Sequence, residues 1–114
     1  MCSSDLNGWN VAIAIVDNHG MLIHYEMLDD TQTASANVAL EKARTAATYR
    51  RTTKELEDGI AAGRNALLGL PGATPIEGGL PIVVGGKMIG AIGVSGVTSP
   101  QDGMVAKAGV DSLK

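Results

Sequence analysis

The sequence contains no phenylalanine, and one Trp and two Tyr are the only aromatic residues among its 114 residues. A hydrophobic core therefore has to be built from smaller side chains, which supply most of the 45% hydrophobic content. This content, together with 18% charged residues, is typical of a folded globular chain rather than a disordered one. The length fits one domain. We divide the sequence into a loose leader, residues 1–6, and a single domain, residues 7–114.

Cysteine and clustered positive charge are also scarce. Cys2 is the only cysteine, which excludes an internal disulfide, a cysteine-based zinc site and a covalent c-type haem motif. The formal net charge is −3, and the longest basic run is the pair Arg50-Arg51. This argues against a nucleic-acid or membrane-surface role, because phosphate binding requires a basic patch. No signal peptide is recognisable and no apolar run approaches the roughly 20 residues of a membrane span, so we expect a cytoplasmic protein.

The first half of the sequence predicts two strands and two helices. Residues 11–16 form an unbroken apolar run, typical of a strand covered on both faces. Residues 17–20 suit a hairpin turn, and residues 21–28 follow as a second strand. A stripe of small side chains predicts a helix from Thr33 to about Arg51.

A second helix and a second group of strands are predicted next. Thr52-x-x-Glu55 matches a capping box, which starts a helix that we expect to reach Leu67 and to end at residues 69–72.

Residues 74–77 are predicted to form a short strand. Residues 80–84 and 88–95 are predicted to form two more strands on either side of Gly85-Gly86, the strongest hairpin signal in the chain. Ser99-Pro100 begins a last helix that runs to about residue 113. The predicted order ββ-αα-βββ-α indicates an α+β domain with a five-stranded, largely antiparallel sheet and helices packed on it.

Four blocks of the sequence, residues 7–29, 39–56, 77–96 and 99–109, together resemble the HbpS/GlcG family. The resemblance implies a profilin-like or PAS-like fold, a five-stranded antiparallel sheet with helices on both sides. It also implies a homo-oligomer, from dimer to octamer. Some members bind haem and are associated with its degradation or with redox sensing. Others belong to catabolic operons without an established reaction, and a related domain is fused to corrinoid adenosyltransferases.

The sequence departs from this family at its beginning. Family members usually start with a helix ahead of the first strand, and residues 1–6 stand in its place here, so that the leading family helix is apparently missing. The two-sided apolar pattern of the first strand requires cover that these residues do not supply. We therefore expect that a neighbouring subunit provides the cover or that a leading helix is absent.

His24 is the candidate metal ligand of the sequence, since haem iron accepts His, Met, Tyr or thiolate ligands. A strand places Glu26 on the same face as His24, where its carboxylate can orient the imidazole. The alternative is an ordinary surface histidine. Tyr49 is a further candidate. We expect His19 to lie in a solvent-exposed turn and Cys2 to have no specific role. The remaining candidates should pack in the core or in an interface: Met21, Tyr25 and Met27.

A second candidate group combines charged helix residues with glycines. Lys42 and Arg44 are two apart on a helix, roughly 200° around its axis, so only one of them can face a given pocket and clamp a carboxylate. The backbone amides of Gly78 and Gly79 could approach an anion. The alternatives are exposed ion pairs and tight turns. The further members of this candidate cofactor-binding group are Thr45, Glu77, Ser95 and Gly96.

No catalytic motif supports a particular reaction, because the sequence lacks G-x-S-x-G, H-E-x-x-H and Walker patterns. The leading hypothesis is a homo-oligomeric haem-binding protein of the haem-degrading type. The second is a small-metabolite (organic acid) binding accessory protein, or a cofactor-free enzyme, of a catabolic operon. The third is a structural oligomeric module that has lost its ligand.

Overall fold

A computed structural model describes residues 10–27, 31, 34–96 and 98–111. The predicted leader, residues 1–6, lies outside them. The strands are β1 (Ala12–Asp17), β2 (Leu22–Met27), β3 (Gly79–Val84) and β4 (Lys87–Ser95). The helices are α1 (Ala34–Tyr49), α2 (Thr53–Ala61), a 3-10 helix (Asn65–Gly69) and α3 (Ser99–Asp111).

The four strands form one antiparallel sheet in the order β2-β1-β4-β3. Both predicted hairpins are present, β1 with β2 and β3 with β4. The second turns at Gly85 and Gly86, with φ angles of 59° and 78°, which suit the two central residues of a type I′ turn. The two hairpins are joined by the antiparallel pairing of β1 with β4, which makes these the inner strands and leaves β2 and β3 at the edges of the described sheet.

The predicted fifth strand, residues 74–77, is wrong, because within the described residues the sheet has four strands. The backbone amides of this segment have other partners. Thr74 N–H donates to Oγ1 of Thr45 at 2.9 Å, and Ile76 N–H donates to the carbonyl of Thr74 at 2.9 Å. Pro75 has no N–H to donate. The segment is therefore a loop held against α1 rather than a strand.

Helix α1 lies on one face of the sheet at unusually close range. A Cβ atom added to Gly93 of β4 would collide with the carbonyl oxygen of Ala39 in α1. The residues that pack here are buried, and all of them are alanines except Val16. The predicted small-residue stripe is thus confirmed as the contact face. Its cluster consists of Ala12, Ala14, Val16, Ala39, Ala43, Ala46, Ala47 and Ala91.

The opposite face of the sheet packs against α3. The buried cluster on this side joins Ile13 of β1 and Ile92 of β4 to Val105 of α3. Ile15 is half-buried at the margin of the cluster. Helices α1 and α3 therefore cover the two faces of β1. From the sequence we expected this cover to come from a partner subunit, or a leading helix to be absent, and we did not expect these two helices to provide it.

The helix boundaries follow local backbone chemistry. Thr52 caps α2 as predicted, since its side-chain oxygen accepts the N–H of Glu55 at 3.2 Å. Helix α2 ends at Ala61, earlier than predicted, because Gly63 turns the chain with a φ of 98°. Leu67 consequently lies in the separate 3-10 helix. None of the helices in the described part of the chain is long and apolar enough to cross a membrane.

Candidate functional site

His24 and Glu26 lie side by side on β2, as the alternation of a strand predicts. His24 is opposite Ile15 and Glu26 is opposite Ile13, which places both on the α3 side of the sheet. The distance from His24 Nε2 to Glu26 Oε2 is 3.9 Å, and the two side chains are 58% and 57% exposed. The separation is too long for a hydrogen bond. The imidazole is therefore accessible, with a carboxylate nearby that is not hydrogen-bonded to it.

The other face of β2 is apolar and also exposed. Tyr25 is opposite Ala14 and Met27 is opposite Ala12, which places both on the α1 side of the sheet. The Tyr25 hydroxyl donates to Sδ of Met27 at 3.3 Å. All six residues of β2 are exposed, and Met21, just before the strand, is 66% exposed. The prediction that these Met and Tyr side chains pack in the core is therefore wrong, whereas packing in an interface remains a prediction.

The remaining ligand candidates have local roles. His19 is exposed in the β1–β2 turn, as predicted, and its backbone N–H donates to Oδ1 of Asp17 at 2.8 Å. The Tyr49 hydroxyl donates to the carbonyl of Pro71 at 2.6 Å. Cys2 lies outside the described residues.

Lys42 and Arg44 point in different directions, as their spacing on α1 predicts. Lys42 is 1% exposed, and its Nζ donates to the carbonyl of Val94 and to Oδ2 of Asp102, both at 3.0 Å. This buried ion pair was not predicted.

Arg44 is half exposed and lies near the C-terminal end of β1, away from Lys42. Its Nε donates to the carbonyl of Gly20 at 3.2 Å. Its Nη1 lies 3.6 Å from Oε1 of Glu41.

Thr45 and Ser95 are buried and belong to the framework of the fold. The Thr45 hydroxyl donates to the carbonyl of Glu41 at 2.7 Å and accepts the N–H of Thr74. Ser95 is opposite Ala12 in the sheet and is 8% exposed. Their burial puts both side chains out of reach of a ligand bound at the surface.

Gly78 and Gly79 make room for protein atoms. The Gly79 N–H donates to Oγ1 of Thr53 at 2.9 Å, so this amide has a partner within the protein, and its contact with an anion stays a prediction. A Cβ atom on Gly78 would lie 2.6 Å from the carbonyl oxygen of Val94 and 2.8 Å from Nζ of Lys42. The absence of a side chain at Gly78 therefore lets the Lys42 ammonium reach its partners.

An open cleft of about 400 Å³ lies between the start of α2, strand β3 and α3. Its wall is largely apolar, and its charges are two lysines and two carboxylates. Hydrogen bonding to Asp58, at 2.6 Å, raises the pKa of Lys54. The described residues that line the cleft include no His, Met, Tyr or Cys: Thr52, Lys54, Glu77, Gly78, Gly79, Leu80, Pro81, Val83, Gly103, Lys107, Val110 and Asp111.

The residues singled out from the sequence thus fall into separate places. His24 and Glu26 are on β2, whereas Glu77, Gly78 and Gly79 border the cleft beside β3. These are opposite edges of the sheet, about 14 Å apart across three strand spacings. Among the described residues, no three His, Cys, Asp or Glu side chains are grouped so as to hold a metal ion.

An antiparallel sheet between α1 on one face and α3 on the other defines a small α+β domain. The chain belongs to the HbpS-like family of haem degrading proteins, whose model matches residues 2–111. It is 48% identical over 89 residues to protein GlcG of Escherichia coli K12, a match covering 78% of this chain and 66% of GlcG.

A second relative is a longer protein, of which this chain matches about a third. The chain is 31% identical over 108 residues to the corrinoid adenosyltransferase PduO of Salmonella typhimurium, and the match covers 90% of this chain but 32% of PduO.

Solved structures of relatives have the same fold. A crystal structure of a double mutant of Streptomyces reticuli HbpS is 29% identical and has a TM-score of 0.89, covering 98% of this chain and 77% of that one. The structure of PduOC in complex with haem is 26% identical and has a TM-score of 0.83, covering 96% of this chain and 82% of that one. The fold is therefore shared with relatives that include a haem complex.

Proposed function

We propose that this protein binds haem, with His24 as the ligand to the iron. Two lines of support are the membership of the HbpS-like family and the likeness to a PduOC–haem complex. The choice of His24 as the iron ligand rests on its exposed imidazole, which lies beside the Glu26 carboxylate. A carboxylate next to a ligating histidine commonly fixes the orientation of its ring.

The residues around His24 suit a flat, largely apolar group. Ile15 lies directly opposite His24 and is half-buried, so an apolar surface borders the imidazole. The cleft beside β3 suits haem less well, because its described lining offers none of the side chains that usually bind haem iron. When bound, haem would supply oxidative chemistry. The protein residues would hold and orient it.

Self-association and a cytoplasmic location belong to the same proposal. The edge strand β2, whose six residues are all exposed, carries large apolar side chains that a second copy would cover. The proposal does not include a catalysed reaction of the protein itself.

Titration of the purified protein with hemin tests the proposal. We expect a saturable, shifted Soret band, and His24→Ala should raise the Kd at least about tenfold, the scale of losing a contact worth 1.4 kcal/mol. Glu26→Gln should weaken binding less, by up to about tenfold, because it removes an orienting group. His19→Ala is the matched control, since His19 is exposed in a nearby turn. Unchanged hemin binding by His24→Ala would refute this assignment.

A second candidate function is favoured by the cleft. Its apolar wall and the two lysines Lys54 and Lys107 suit a small organic acid. Each lysine already pairs with a carboxylate of its own helix, Asp58 and Asp111, which weakens the attraction for an anion. Small carboxylates that raise Tm in wild type but not in Lys107→Met would support this function, since a ligand selective for the folded state stabilises it. No rise in Tm would exclude it.

A further inference from the structure

The two edges of the described sheet differ in how they are protected from further strand pairing. On β3 the edge is interrupted by Pro81, which has no N–H to donate. Strand β2 contains neither proline nor lysine, and all six of its residues are exposed. Prolines, lysines and bulges are the usual devices by which an edge strand avoids pairing with another chain. Strand β2 has one bulge, at Ile23, because Ile15 is opposite His24 whereas Val16 is opposite Leu22, and residues 24–27 remain a regular edge with which a further strand can pair.

We propose that β2 pairs antiparallel with β2 of a second copy of this chain, about a two-fold axis that passes between the two Tyr25 residues. The two four-stranded sheets then continue into one sheet of eight strands. This inference specifies the surface for the self-association proposed above and rests on that part of the proposed function. It does not require haem to be bound.

Symmetry restricts the possible registers. Residues directly opposite in an antiparallel pair have their side chains on the same face. A two-fold axis perpendicular to the sheet leaves each face of the sheet on the same side in both copies. A residue whose side chain lies on one face must therefore be opposite a residue whose side chain lies on the same face. The axis therefore has to pass through a residue position, at Ile23, His24, Tyr25 or Glu26, and not between two positions.

Charge selects one of these registers. With the axis at Tyr25, each His24 lies opposite Glu26 of the second copy, which places unlike groups together twice in the interface. With the axis at Glu26 the two carboxylates oppose each other, which destabilises the pair, and with the axis at His24 each imidazole lacks a carboxylate opposite it. An axis at Ile23 falls on the bulge and leaves His24 and Glu26 without a complementary partner. The strand is thus self-complementary in one register.

The apolar face of β2 supports the same register. Tyr25 lies opposite itself, and Met27 of each copy lies on the same, α1 side of the sheet. These two side chains are 40% and 36% exposed in the single chain. Pairing would bring Tyr25 and Met27 of both copies together next to α1. On the opposite face the two His24 residues become diagonal neighbours, about 7–8 Å apart and somewhat closer at Cβ, so the histidine proposed as haem ligand lies at the interface.

Sedimentation equilibrium of the full chain tests the surface. We expect wild type to form dimers or multiples of dimers, and Tyr25→Lys to dissociate this contact because two ammonium groups would then oppose each other. Val84→Lys is the matched control on the other edge strand, where Val84 is 46% exposed, and should leave the assembly unchanged. Thermal unfolding of each variant establishes that it is folded.

Charge reversal tests the register. His24→Glu and Glu26→Lys should each weaken dimerisation by about tenfold, because each change affects two symmetric pairs. The double variant should recover most of the loss, since it restores unlike groups opposite each other. Failure of the double variant to recover would overturn the register.

Cysteine cross-linking gives a measurement that does not depend on dissociation. In a Cys2→Ser background, Tyr25→Cys should form an intermolecular disulfide readily, whereas Glu26→Cys should not, because diagonal Cβ atoms are too far apart. A disulfide formed by Glu26→Cys but not by Tyr25→Cys would overturn the proposal that β2 is the contact surface, and so would a dimer that Tyr25→Lys leaves intact. Neither result would argue against self-association through another surface. A wild-type monomer would overturn both, and hemin titration of that monomer would still decide the haem proposal.

Discussion

The ammonium group of Lys42 and the carboxylate of Asp102 lie 3.0 Å apart in the interior, although α1 and α3 cover opposite faces of the sheet. Their side chains are 2% and 3% exposed. The contact is made past Gly78, where a side chain would collide with the Lys42 Nζ. The same Nζ also donates to the carbonyl of Val94 in β4. One buried ion pair therefore ties both helical layers to the sheet.

Removal of the Lys42 charge should be strongly destabilising. Lys42→Met leaves Asp102 buried without its ammonium partner, and we expect the free energy of unfolding to fall by about 3–5 kcal/mol. Urea unfolding followed by circular dichroism measures the change. Lys54→Met is the control, because Lys54 pairs with Asp58 at the surface and its loss should change the free energy of unfolding far less.

The double variant Lys42→Met/Asp102→Leu separates the two contributions to that loss. Apolar residues of similar volume commonly replace a buried ion pair at little cost, so the double variant should be more stable than Lys42→Met alone. A Lys42→Met protein as stable as wild type would show that the pair does not hold the layers together.

Much of the fold could be predicted from the sequence because it is specified by local signals. The apolar run of β1, the Gly85-Gly86 turn and the Thr52 cap each act through neighbouring residues, and all three are confirmed. The fifth strand was predicted wrongly because residues 74–77 resemble a strand locally. The hydroxyl of Thr45, 29 positions away from Thr74, takes up the amide of that segment.

The candidate site was harder to predict because it depends on long-range contacts. The sequence suggested that either Lys42 or Arg44 serves a pocket, but nothing local reveals that Lys42 finds Asp102, 60 positions away. The available signal was a lysine inside a stripe of alanines together with a Gly-Gly pair, which indicates close packing. That signal was interpreted as an anion site at Gly78 and Gly79.

The close approach of α1 to the sheet predicts that Gly93 tolerates no side chain. The Cβ of Gly93→Ala would collide with the backbone of α1 at Ala39 and Ala43, so helix and sheet must move apart. We expect a loss of about 1–3 kcal/mol, the usual cost of overpacking. Gly69→Ala is the control, because a Cβ there meets no atom within 4 Å. Equal stabilities of the two variants, measured by urea unfolding, would contradict the tight contact.

The hydroxyl of Thr53 should matter because it satisfies a buried amide. Thr53→Val removes the acceptor for the Gly79 N–H, and we expect a loss of about 1–3 kcal/mol, the cost of an unsatisfied buried donor. Thr53→Ser keeps the oxygen and should retain most of the stability. Thr48→Val changes an exposed threonine of α1 and should stay within about 0.5 kcal/mol of wild type. A Thr53→Val protein matching Thr48→Val would argue against this role.

Asp17 makes the β1–β2 hairpin sensitive to acid. Its carboxylate accepts the backbone N–H groups of Met21 at 3.0 Å and His19 at 2.8 Å, and these bonds lower the pKa of Asp17 below its ordinary value of 3.8. A lowered folded-state pKa stabilises the fold above the unfolded-state pKa, and this stabilisation disappears as the pH falls through the folded-state value. Wild type should therefore exceed Asp17→Asn in stability near neutral pH, and the difference should close between about pH 5 and pH 2. Urea unfolding across this range measures it. A difference that does not change with pH would mean that the charge of Asp17 is not what holds the turn.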